Sequence, residues 1–186
     1  MSADALEQAF ASSAKVLAGV QPGDLDKPTP CASWQVRDVV NHMVGGTHFF
    51  AETAETGVGP TAPNETDYAS GDISSAYAEG AARALAVFRA DGAMEMTMKL
   101  PFGEFPGAIF VMIAASDAFT HGWDVARALG QPTDLDPGLA TQFLAMSMIP
   151  DEFRGADGVT PFGPKLEAPE SATAADKLAA YLGRSV

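Results

Sequence analysis

Two carboxylates and an imidazole share one line of a single predicted helix. Asp117 and His121 are four residues apart, and Asp124 follows three residues later. At about 100° per residue, the first two lie within roughly 40° of each other around the helix, and Asp124 returns to the same line. The same line carries apolar residues, namely Phe110, Ile113 and Ala128. These three polar side chains are therefore predicted to lie inside an apolar stripe that faces the core.

Burying a carboxylate without a partner costs several kcal/mol, or shifts its pKa until the group is neutral. A compensating group is therefore expected, and three kinds are possible: an Arg or Lys from elsewhere, a His–Asp hydrogen bond, or a metal cation. His42 lies on the apolar side of another predicted helix. If the two helices are neighbours, His42, Asp117 and His121 would form a two-His, one-carboxylate site with positions left open for water or substrate.

The spacing alone leaves three interpretations of this group open. It is consistent with a metal site, with a solvated ion pair that slightly stabilises the helix, and with a catalytic pair that works without metal. His48 is six residues beyond His42, about 240° around the helix, so we expect it to be a surface or packing residue.

Several other residues can be interpreted either as functional or as purely structural. Cys31 precedes a predicted helix N-terminus, which would lower the thiol pKa, so it is either half of a thiolate–imidazole pair or a buried structural cysteine. Gly45 and Gly46 lie in mid-helix and predict either close helix packing or room beside a ligand. Trp34 and Trp123 are predicted to anchor the core.

The elements that position these residues are mostly helical, because the apolar residues recur with the helical period. The sequence predicts an all-α fold, a helix bundle with a long crossover over residues 57–71 and one short extended segment over 94–100. Extra short helices are expected near the C-terminus. The predicted helices cover residues 6–20, 35–50, 73–88, 106–129, 136–149 and 173–183.

The composition and net charge disfavour some classes of binding partner. The 186 residues predict one domain, 1–186, and carry a formal net charge of −13, which disfavours nucleic acids and anionic membrane surfaces. A single cysteine excludes an intramolecular disulfide. No apolar run approaches a bilayer span and no signal peptide is visible, so we expect a cytoplasmic protein, either monomer or homodimer.

Three stretches together resemble one family. They are residues 29–46, which contain Trp34, Val36-Arg-Asp38 and His42; residues 117–132; and the tail with Phe162-Gly-Pro164 and Leu182-Gly-Arg184. The chain is similar over nearly its whole length to actinobacterial metal-binding proteins related to the N-terminal domain of mycothiol-dependent maleylpyruvate isomerase, in the DinB-like superfamily. The resemblance implies a four-helix bundle with long crossovers and a divalent metal, zinc first, with nickel or iron as alternatives. It also implies that His42, Asp117 and His121 are the ligands.

The sequence departs from the family pattern at three points. Gln35 replaces the usual Ser or Thr helix cap, Asp117 replaces the longer Glu ligand, and only a loop and a short helix follow Pro150, where the isomerase has a second domain. Maleylpyruvate isomerisation itself is therefore not expected.

By resemblance, the expected function is transfer of a low-molecular-weight thiol, mycothiol, to an electrophilic small molecule, or a thiol-assisted isomerisation. Asp124 would act as a catalytic residue by orienting a ligand histidine or accepting the thiol proton. The anionic surface disfavours a strongly anionic substrate, unless the metal and Arg127 offset that charge. A non-catalytic metal- or ligand-binding module is the alternative. A non-haem iron oxygenase is a third hypothesis, which the helical pattern disfavours because those enzymes usually present their ligands on a β-barrel.

Overall fold

The computed structural model describes residues 3–31, 33–62, 64–101, 103–147, 149–156 and 159–186. Ala32, within the first stretch of the family resemblance, lies outside these ranges. Within them, no helix is long and apolar enough to cross a membrane. The helices are α1 (Ala3–Leu17), α2 (Val36–Thr56), α3 (Ile73–Phe88), α4 (Gly107–Leu129), α5 (Pro137–Met146) and α6 (Ala174–Tyr181), and two short strands, β1 (Thr97–Leu100) and β2 (Gly103–Pro106), precede α4.

The first four helices form a closed ring. Helix α1 packs on α3 and α4, and α2 packs on the same two helices from the other side. Consecutive helices α1 and α2 are therefore diagonal partners, so the chain must cross the bundle end between them. The expected all-α, DinB-like four-helix bundle is confirmed, with α5 and α6 packed on each other as the extra C-terminal helices.

Local sequence signals set the ends of the two central helices. The Asp38 carboxylate in the first turn of α2 accepts a hydrogen bond from the Gln35 N–H at 2.9 Å, so the chain compensates for a poor cap. Helix α2 ends at Gly57 and α4 ends at Gly130, both in the left-handed conformation that glycine adopts without strain. The predicted stop at Gly130 is confirmed.

The extended segment is half of a hairpin. Strand β1 pairs antiparallel with β2, with Thr97 opposite Pro106 and Leu100 opposite Gly103. The sequence predicted the first strand only, because β2 lacks an alternating apolar pattern: its side chains are exposed except for Phe105, which is half-buried. The fifth helix also ends earlier than predicted, at Met146.

A layer of C-terminal residues closes one end of the bundle. Helix α6 packs against α4, where the Trp123 indole N–H donates to Asp176 at 2.9 Å. Trp123 is buried, as predicted, and Ala175, Leu178 and Ala179 of α6 belong to the same apolar core as the four main helices. Helix α6 therefore packs on the same helix, α4, that carries Asp117, His121 and Asp124.

Candidate metal centre

Neighbouring helices α2 and α4 bring together His42, Asp117 and His121. The Asp117 Oδ1 atom lies 3.2 Å from His42 Nε2 and 3.7 Å from His121 Nε2. The two imidazole rings meet edge to face, with centroids 4.7 Å apart. The residues that spacing and resemblance singled out thus share one site.

The donor set has the dimensions of a cation site. One ligand atom from each of the three residues can be chosen so that all lie within 4.8 Å of one another. Ligands held at 2.0–2.1 Å around a tetrahedral zinc ion are about 3.3 Å apart, close to the two distances to Asp117. Two imidazole nitrogens and one carboxylate oxygen are also the donors of catalytic zinc sites with a fourth, open position. The residues therefore fit a divalent cation.

His42, Asp117 and His121, which we call the triad, carry charges that compensate one another. Burial opposes ionisation of Asp117, but the neighbouring His42, His121 and Arg184 outweigh it and hold the Asp117 pKa below its usual value. Burial would lower the pKa of His42, but attraction by Asp117 outweighs it and raises that pKa. The compensation demanded by burial is thus met at Asp117 by a hydrogen-bonded histidine.

Asp124 lies behind the triad and holds His121. Its Oδ2 is 3.0 Å from His121 Nδ1, and its side chain is wholly buried. A proton on Nδ1 leaves the Nε2 lone pair free to bind a metal ion, the arrangement that metal-binding histidines use. Asp124 thus contacts the His121 ring directly, and its catalytic role, orienting or proton-accepting, stays a prediction.

The partner that compensates Asp124 is Arg184. Its Nε and Nη2 donate to the two carboxylate oxygens at 3.2 and 3.1 Å. Burial would raise the Asp124 pKa, but the bond to His121 and the Arg184 charge hold it below its usual value. The pKa of Arg184 is raised in turn: burial opposes its charge, and Asp124 outweighs that effect.

The triad forms part of the wall of a cavity of about 490 Å³. Trp34 and Cys31 also line it, and the Trp34 ring centroid is 4.9 Å from that of His42 and 5.6 Å from that of His121. Trp34 was predicted to anchor the core; it packs against the core but is only partly buried, and its ring also lies beside the two imidazoles.

The structure also places the other residues that the sequence analysis singled out near this site. His48 stacks on Tyr68 at 5.8 Å, a packing role as predicted. Arg127 is exposed and is not among the residues that line the cavity, whereas Arg184 is, so a part for Arg127 in offsetting the anionic surface stays a prediction. A side chain at Gly46 would approach the Asp117 carboxylate to 3.8 Å, and one at Gly45 would meet Asn64 at 3.2 Å. Gly46 thus leaves room beside Asp117, and Gly45 allows close packing of the crossover.

Comparison with known proteins agrees with this geometry. The family model of the mycothiol maleylpyruvate isomerase N-terminal domain matches residues 6–126, and the chain belongs to that family. Two uncharacterized proteins of Mycobacterium tuberculosis, Rv0738 of strain H37Rv and MT0763 of strain CDC 1551, are each 38% identical over 97% of this chain and 94% of their own. No solved structure gives a significant match.

Arg184 and Trp34 are the residues of the site that the residue patterns did not assign. Both occur in the stretches that carry the family resemblance, so the resemblance could have drawn attention to them as site residues. Trp34 precedes α2 and Arg184 follows α6, so helical spacing does not relate either residue to the triad. Their positions depend on the path of the loops.

Proposed function

We propose that this protein binds a divalent cation through His42, Asp117 and His121. We further propose that it uses the site to transfer a low-molecular-weight thiol to an electrophilic small molecule. The observation that carries the proposal is the convergence of three donor atoms within 4.8 Å in the wall of a cavity. The family supports a thiol as the partner, since its defining domain is that of a mycothiol-dependent isomerase.

When bound, the cation would supply positive charge that lowers the pKa of a thiol and favours its thiolate. The chain's own residues prepare the site for this. Asp124 accepts from His121 Nδ1 and keeps Nε2 available, Arg184 keeps Asp124 ionised, and the Trp34 ring packs beside both imidazoles. Zinc is the metal we propose first, because two imidazoles and one carboxylate with an open position are a zinc donor set.

Metal content tests the centre directly. We expect purified wild-type protein to hold about one equivalent of divalent metal and the His121→Ala variant to hold little, because two donors bind far more weakly than three. His48→Ala is the matched control, since it removes a histidine of α2 that packs on Tyr68 outside the triad. Equal metal content in wild type and His121→Ala would contradict the proposed centre.

Catalysis is tested separately from binding. We expect metal-loaded protein to accelerate conjugation of a thiol to monochlorobimane, and His121→Ala or chelated protein to lose that rate. A protein that holds metal but gives no metal-dependent rate with any thiol would be the non-catalytic binding module instead.

A further inference from the structure

Much of the apolar wall of the cavity comes from a part of the chain that the family match does not cover. The match ends at residue 126. Beyond it, the side chains that line the cavity are mainly apolar, and three apolar side chains of α4 line it as well. The later group is Phe143, Met146, Ile149, Pro161, Phe162 and Leu182, and the α4 group is Ile109, Met112 and Ile113.

This wall offers no unused charge to an ionic ligand. Outside the triad, Arg184 is the charged side chain among the described residues of the lining, and its Nε and Nη2 are held by Asp124. The remaining polar lining consists of hydroxyl side chains and Cys31. The net charge of −13 further opposes an anion.

The rim exposes large apolar side chains to water. Ile109 is 41% exposed and Met146 is 39% exposed, and they line the same cavity from α4 and α5. Apolar surface gathered around a concave opening is characteristic of small-molecule sites, and 490 Å³ is within their usual range.

We propose that this apolar wall binds an uncharged, hydrophobic small molecule next to the triad. Calling this molecule the electrophile that receives the thiol rests on the proposed function; its binding to the wall does not. The cavity then has two parts, one of donor atoms and one that selects the acceptor by excluding charge.

A pair of probes that differ by one charged group tests the inference on metal-free protein. N-phenyl-1-naphthylamine is uncharged, and 1-anilinonaphthalene-8-sulfonate has the same skeleton with a sulfonate. In the presence of chelator we expect the neutral probe to bind to wild-type protein, and the sulfonate to bind at least about tenfold more weakly, since its charge would be buried without a partner. Equal or tighter binding of the sulfonate, or no binding of the neutral probe, would overturn the proposal.

Variants locate the bound probe. Ile109→Asp places a carboxylate on the rim in the first turn of α4, where the helix dipole tolerates it, so the fold should persist. We expect it to weaken binding of the neutral probe about tenfold. Val58→Asp is the matched control, because Val58 is 55% exposed and does not line the cavity. Equal loss in both variants, or unchanged binding in Ile109→Asp, would place the probe elsewhere and overturn the proposal.

Failure of this inference is distinguishable from failure of the proposed function. If chelated protein binds the neutral probe but the purified protein never holds metal, the metal centre fails and the apolar subsite stands. If metal and thiol conjugation are found but the neutral probe does not bind, the subsite fails and the metal centre stands.

Discussion

The buried ion pair between Asp124 and Arg184 is the residue-scale feature on which the site depends. The pair joins α4 to the chain end, and Asp124 also holds His121. A buried pair is no guarantee of stability compared with apolar residues, but removing one partner leaves an uncompensated buried charge. Arg184 is thus a positioning residue that acts on the triad through Asp124.

We expect Arg184→Ala to lower the free energy of unfolding by about 3–5 kcal/mol, because Asp124 would stay buried without its counter-charge. Chemical denaturation measures the change. The matched control is Arg83→Ala, which removes an equally bidentate but exposed pair with Glu55 and should cost less than about 1 kcal/mol. Similar losses in the two variants would show that the Arg184 pair is effectively solvated.

The triad was predictable from the sequence and the rest of the site was not. Asp117, His121 and Asp124 lie on one face because helical geometry alone fixes residues three and four apart. His42 was grouped with them because it lies on the apolar side of another predicted helix, and the family resemblance named the same residue, since spacing alone cannot show which helices are neighbours. Arg184 and Trp34 reach the site through irregular segments, for which no local rule gives the direction of a side chain.

At the scale of elements, α2 and α3 pack closely at Gly80. A side chain at this position would overlap the Thr47 hydroxyl and lie 2.8 Å from its Cβ. The glycine therefore sets how near α3 can approach the helix that carries His42.

We expect Gly80→Ala to destabilise the protein by about 1–3 kcal/mol despite the better helix propensity of alanine, because the packed interface must shift. Thermal or chemical unfolding checks this. Gly23→Ala is the control, since nothing lies within 4 Å of a side chain there. A gain in stability from Gly80→Ala would mean that propensity outweighs the contact.

Helix α6 is fixed to α4 by a carboxylate whose ionisation should be visible in the pH dependence of stability. Burial opposes the charge of Asp176, but bonds from Trp123 and Thr173 outweigh it and hold its pKa below the usual value. A lowered folded-state pKa gives stability that is present above about pH 4 and is lost as pH falls through the folded pKa.

Asp176→Asn should therefore be less stable than wild type by about 0.5–1 kcal/mol at pH 7, where the carboxylate also favours the N-terminus of α6. The difference should shrink below about pH 4, as Asp176 of the wild type becomes protonated. Urea unfolding of both proteins at pH 7, 4 and 3 measures this. A difference that is constant across these pH values would contradict the assignment.

The bundle helices were predictable because each carries a long apolar stripe, and α4 agreed with the prediction to within one residue at its start. The second strand and the early end of α5 were not. Strand β2 is short and mostly exposed, so its pairing with β1 leaves no alternating pattern. Helix α5 ends at Met146, whose side chain lines the cavity, and Ser147 is already extended.

At the scale of the whole molecule, a bound cation would tie α2 to α4 across the bundle. A ligand that binds only the folded state stabilises it by RT ln(1 + c/Kd), where c is the free ligand concentration, which is about 2.7 kcal/mol when the free ligand is at a hundredfold excess over Kd. For a chain of this size we expect chelation to lower the Tm by roughly 5–10 °C.

Calorimetry of metal-loaded and chelated protein measures this shift. His121→Ala should melt at one temperature whether or not metal is present, while His48→Ala should keep the shift. Identical melting of loaded and chelated wild type would contradict a tightly held ion.

The two tryptophans have different surroundings, so the fluorescence of one of them can report on the triad. Trp34 lies against the imidazoles of His42 and His121, while Trp123 is buried and bonded to Asp176. Indole emission responds to charge and contact at its face, so filling the triad should alter the light from Trp34 and leave that from Trp123 unchanged. Replacing Trp34 by Phe should abolish this change in fluorescence. In the wild-type protein, metal binding at the triad could therefore be followed by tryptophan fluorescence without any label.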